Sequence, residues 1–101
     1  FERVGDVGGQ AATLNNIGSV HSALGDKQQA LEYYQRALKL LHQVGDRFNS
    51  VTILLNIGLL LFELDDTKRA CQNLSEAHEL SKQTNHPSQR KIQQIIETFC
   101  K

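Results

Sequence analysis

Much that would point to a membrane, a secreted scaffold or a catalytic centre is missing from these 101 residues. No apolar run approaches the roughly 18 residues of a membrane span. The longest, around Leu59–Phe62, lies between Asn56 and Glu63. No basic stretch followed by an apolar one opens the chain, so no secretion signal is visible. Cysteine is scarce: Cys71 and Cys100 alone do not make the disulfide framework of a secreted domain. Both are expected to be free thiols in a reducing, cytoplasmic compartment, with Cys71 on a packed face. Neither sign of charge dominates, with 11 basic and 11 acidic residues, so neither nucleic acid nor an anionic membrane is expected as a partner.

The groups of an active site are absent as well. His21, His42, His78 and His86 have no ligand-like spacing with each other or with the cysteines. Gly5, Gly8 and Gly9 lack the Lys-Ser/Thr of a phosphate loop. Asp65-Asp66 reads as a turn and a helix cap, and Glu63 as a helix-end charge. No enzyme, metal or cofactor is expected.

What is present is a repeat with a spacing of 40. Leu14, Asn16, Ile17-Gly18, Leu24, Asp26, Ala30, Ala37, Leu40 and Gln43 recur as Leu54, Asn56, Ile57-Gly58, Leu64, Asp66, Ala70, Ala77, Leu80 and Gln83. Gly5-Asp6 likewise recurs as Gly45-Asp46. Apolar residues fall three and four apart, which is the spacing of a helix face. Leu14, Ile17, Gly18, His21 and Leu24 form one such face, and Ala30, Tyr34, Ala37, Leu38 and Leu41 another. Gly25-Asp26, Gly45-Asp46 and Asp65-Asp66 interrupt the pattern, with Asp26 placed as an N-cap.

The spacing predicts helices over 9–24, 27–44, 48–64, 67–84 and 88–99, with Pro87 as a first helical residue. Short turns make consecutive helices antiparallel. The fold expected is all-α, with helical hairpins stacked as an α-solenoid. Its parts are repeat 1 over 9–44, repeat 2 over 48–84 and a cap or degenerate third-repeat helix over 88–99. Residues 1–4 share the phase of Leu41–Val44 and read as the tail of a preceding helix. With no opening Met, the chain reads as a piece of a longer array. Gly18 and Gly58 are costly inside helices, by about 1 kcal/mol each. Their matched register predicts close approach to Ala30/Ala37 and Ala70/Ala77 across each hairpin.

Those positions resemble the tetratricopeptide repeat family: Leu14, Ile17-Gly18, His21, Ala30, Tyr34 and Ala37, then Leu54, Ile57-Gly58, Leu61, Ala70, Leu74 and Ala77. His21, Leu61 and Leu74 stand where that family usually has aromatics. The 40-residue period is similar to the long-repeat subclass of kinesin light chains and bacterial multi-repeat arrays. The resemblance implies a non-catalytic module that binds a peptide or protein segment on an inner groove. The competing readings are a structural or self-assembly element, with a possible homodimer, and the sensor arm of a signalling or transcription regulator.

Helices stacked in this way curve, and the first helix of each unit lines the inner face. The candidate peptide-binding residues are Asn15, Asn16, Ser19, Leu55, Asn56, Leu59 and Phe62. Asn offers both a donor and an acceptor to an extended backbone. The resemblance implies such contacts for Asn16 and Asn56, while bonding within the array is the alternative. No basic residue lies on the inner positions of unit one, which argues against a ligand clamped by its C-terminal carboxylate. Helix 48–64 is apolar nearly all round, so Leu55, Leu59 and Phe62 need cover from helix 88–99, a partner or a second copy.

Overall fold

The computed structural model describes residues 4–101, with side chains from Asp6 onward. Five helices follow one another: α1 (Val4–Ala23), α2 (Lys27–Gln43), α3 (Arg47–Glu63), α4 (Thr67–Thr84) and α5 (Gln89–Phe99). No strand occurs among the described residues. α1 pairs with α2, and α3 with α4. α2 also packs on α3, and α4 on α5. The architecture is an all-α helical repeat solenoid.

Each break is made the same way. Gly25, Gly45, Asp65 and Asn85 take left-handed backbone, with φ of 83°, 70°, 62° and 53°. Glycine adopts this freely, and Asp and Asn tolerate it best among the rest. The next amide then reaches back to the closing turn of the helix: Asp26 N–H to His21 O at 2.8 Å, Asp46 to Leu41 at 2.9 Å, Asp66 to Leu61 at 2.8 Å and His86 to Ser81 at 2.9 Å. This bond satisfies a carbonyl that the helix leaves orphaned. Asp46 and Asp66 then cap the following helix, accepting from Asn49 N–H at 3.0 Å and Arg69 N–H at 3.2 Å. Asp26 makes no such side-chain cap and lies 3.4 Å from His21 Nδ1 instead.

The starts of α1 and α5 differ from those the sequence predicts. α1 begins at Val4, so Gly5-Asp6 is helical and not a break. Val7 and Ala11, one turn apart, are both buried and extend the packed stripe backwards. Residues 1–3 of the expected helix tail lie outside the described residues. Pro87 sits in the turn, with Ser88 as the N-cap of α5, because the His86 N–H is still engaged in closing α4.

Within each hairpin the two helices approach closely at the mid-helix glycine. A Cβ on Gly18 would lie 2.8 Å from the Tyr34 ring and 3.2 Å from Ala30 O. One on Gly58 would lie 2.8 Å from Leu74 Cγ and 3.4 Å from Ala70 O. The close partners are therefore Tyr34 with Ala30 and Leu74 with Ala70. Ala37 and Ala77 are fully buried one turn further on.

The cysteines are not free. Cys71 and Cys100 form a disulfide, with Cα atoms 5.7 Å apart. α5 folds back on α4, which brings Cys100 beside the second turn of α4. Cα separations of this size are what a disulfide requires.

Candidate protein-interaction face

α1 and α3 lie side by side, and a polar seam joins them. Asn56 Nδ2 donates to Asn15 Oδ1 at 2.9 Å. The repeat equates Asn56 with Asn16, yet Asn16 is exposed. The reason is directional. Position 56 points back toward the preceding first helix, where Asn15 meets it. Asn16 points the same way, and the described residues include no earlier helix. Position 15 points forward, and so does its equivalent, Leu55. Leu55 is buried in the apolar cluster of Val51, Leu54, Leu74 and Ile92, with Ile95 and Ile96 packed against it. One seam is thus amide to amide, and the next is apolar.

Around the first seam the face is open. A slot of about 200 Å³ runs between α1 and α3, with Ala11, Ala12, Asn15, Asn49, Thr52 and Ile53 among its lining residues. Ser19 Oγ lies 3.1 Å from Tyr34 Oη across the first hairpin. Lys27 Nζ pairs with Glu63 Oε1 at 3.5 Å, joining the two units. At the second seam, Phe62 is half-buried and its ring meets Phe99, with centroids 5.5 Å apart. Leu59 keeps 37% of its surface exposed. Of the seven candidate residues, Asn15 and Asn56 are brought together by a bond. Leu55 and Phe62 are covered wholly or partly by α5. Asn16, Ser19 and Leu59 remain open.

His86 has a role that its place in the turn does not announce. Its ring is buried against Phe48, with centroids 4.5 Å apart. Nδ1 accepts the Ser88 N–H at 3.0 Å, and Nε2 lies 3.4 Å from Thr52 Oγ1. Burial holds its pKa below the ordinary 6.5. The neutral ring with its proton on Nε2 satisfies both contacts. The signal in the sequence was register, since His86 occupies the helix-closing position held by Asp26, Asp46 and Asp66.

Among the described residues, no group of three or more His, Cys, Asp or Glu side chains is placed to hold a metal ion. No described helix is long and apolar enough to cross a membrane. No solved structure gives a significant match to the chain. Residues 11–43, spanning most of the first hairpin, match the family model described as tetratricopeptide repeat.

Proposed function

We propose that this chain is a non-catalytic interaction module that binds an extended peptide or protein segment along the open face of α1 and α3. Tetratricopeptide repeats generally mediate protein–protein interactions, and one unit matches that family. The observation that carries the reading is the exposed Asn16 amide beside the Asn15–Asn56 seam and its slot. Asn16 holds a donor and an acceptor free for a backbone, and small side chains such as Ala12 leave room for one side chain of the ligand. The 40-residue period fits the long-repeat subclass. A terminal carboxylate is a poor ligand here, since the open positions of α1 carry no basic residue.

The test starts from a random peptide library displayed on phage and panned against the chain. Enriched peptides are titrated by calorimetry into the wild type and into Asn16→Ala/Asn56→Ala. A loss of about tenfold in affinity with an unchanged fold is expected, since each hydrogen bond contributes roughly 0.5–1.5 kcal/mol. Equal affinity overturns the role of the asparagines.

A second reading, self-association, draws on a different face. Val20 and Leu24 are 59% and 76% exposed, whereas their equivalent Leu60 is 2% exposed and Leu64 is half-buried beneath the first unit. A homodimer would cover the α1 surface and not α5, whose Ile92 is already buried within the chain. Sedimentation across a concentration series tests this reading. A dimer that Leu24→Glu dissolves supports it, and a constant monomer mass contradicts it.

A further inference from the structure

α5 is held at both ends and weakly in between. At its start, the His86 ring and Ser88 fix the turn against Phe48 and Thr52. At its end, Cys100 is bonded to Cys71 of α4. Between them α5 has 11 residues, of which only Ile92 is fully buried. Helices shorter than about 12–15 residues are marginal without tertiary support.

The surface that α4 offers α5 is a poor version of the one that α2 offers α3. Leu31, Leu38 and Leu41 of α2 pack in one cluster with Ile53, Ile57 and Leu60. Forty residues on, the same positions of α4 are Cys71, His78 and Ser81. The Ser81 hydroxyl turns to the His78 carbonyl at 2.7 Å, and His78 Nε2 is buried with no hydrogen-bond partner. Where the first junction has three leucines, the second has one cross-link and two polar side chains.

We infer that the Cys71–Cys100 disulfide is a redox latch, whose reduction releases the C-terminal half of α5 from α3 and α4 while both hairpins stay folded. The reductant is a dithiol. One of its thiolates attacks a cystine sulfur and forms a mixed disulfide, and its second thiol closes the reductant's own ring. Two electrons and two protons pass to Cys71 and Cys100, which end as thiols, and the dithiol ends as a cyclic disulfide. Both cysteines are half-buried and not sealed in the core, so a thiolate has a path to them. Release lifts Ile95, Ile96 and Phe99 away from Leu55 and Phe62. These then join Leu59 as a continuous apolar strip beside Asn56 on α3. That strip lengthens the face proposed above for a peptide, a consequence that rests on that reading. The latch itself does not.

Hydrogen exchange read by mass spectrometry on the full chain, with no ligand present, tests the latch. Alkylation with iodoacetamide first counts the thiols: none before dithiothreitol and two after it. In the oxidised chain the amides of 93–99 should be protected. After reduction they should exchange about tenfold faster or more, while 27–84 stay unchanged and reoxidation restores the protection. Cys71→Ser/Cys100→Ser should behave as the reduced chain with or without the reductant. Two reactive thiols before reduction, equal protection of 93–99 in both states, or a loss of protection throughout the chain would each overturn the latch. A latch that passes while the Asn16→Ala/Asn56→Ala variant binds peptide normally would discard the peptide reading alone.

Discussion

The two junctions of this array are built on one pattern and filled with different chemistry. Between α2 and α3, Leu31, Leu38 and Leu41 supply apolar cover to a helix that is itself apolar nearly all round. On α4 the same three positions hold Cys71, His78 and Ser81, and α5 is a short amphipathic helix that carries its apolar residues on one stripe. A buried aliphatic side chain contributes roughly 1.5–3 kcal/mol. The first junction therefore holds by burial alone, and the second needs its covalent tie. A repeat can keep its backbone geometry while one junction becomes conditional.

The sharpest way to break that comparison is to truncate matched positions. Leu41 is 2% exposed, so Leu41→Ala should destabilise the chain by about 3 kcal/mol in urea denaturation. Ser81→Ala removes one hydroxyl bonded to a carbonyl in its own helix, and should cost under about 1 kcal/mol. Equal losses at the two positions would show that the junctions are equivalent.

The hairpins themselves should respond alike. Gly18→Leu and Gly58→Leu each drive a side chain into atoms that a Cβ would already crowd at 2.8 Å. Each should cost about 2 kcal/mol or more by thermal denaturation. A variant that melts with the parent would remove the close contact from its hairpin.

A gain is expected at the weak junction. His78→Leu restores the residue type of Leu38 and removes the unpartnered buried nitrogen. It should stabilise the chain by about 1 kcal/mol. A loss would mean that the His78 ring is needed where it lies.

The smallest effect belongs to the turn before α5. The folded-state pKa of His86 lies below its ordinary 6.5 because burial disfavours the charged ring. The unfolded chain therefore takes up this proton at a higher pH than the folded one. The contribution of His86 is complete above its ordinary pKa of 6.5. It falls away as pH drops through that value toward the folded pKa. Protonation of Nδ1 also removes the acceptor of the Ser88 N–H. Between pH 7.5 and 5.5, about a unit either side of the reference histidine value, the Tm of the wild type should fall further than that of His86→Leu. Parallel falls would contradict this assignment.

The helices and the close approach at each mid-helix glycine were legible because each is written locally and then repeated, but the nearest partners are the Tyr34 and Leu74 side chains, with Ala30 and Ala70 behind them and not Ala37 or Ala77. Gly25-Asp26 and Gly45-Asp46 carry the left-handed residue and the N-cap position in adjacent letters, and Asp65-Asp66 repeats the device with Asp in the first place, although the side chain makes the cap only at Asp46 and Asp66. Gly5-Asp6 has the same letters inside a helix, so two residues are not sufficient where the packed stripe of Val7 and Ala11 continues. The candidate face was legible only in part. A 40-residue comparison aligns Asn16 with Asn56, but neighbouring helices meet through different faces, so Asn56 bonds to Asn15. The disulfide was hidden for a related reason. Two cysteines 29 residues apart carry no framework signal. Only the stacking position of Cys71, equivalent to Leu31, combined with the fold-back of α5, brings them together.

The inequality of the two junctions is tested most directly by native-state hydrogen exchange of the reduced chain over a series of sub-denaturing urea concentrations, read helix by helix. The account predicts that amides of α5 open first, at low urea, while α2 and α3 remain protected and open together with the whole chain. A single opening transition shared by all five helices would contradict it.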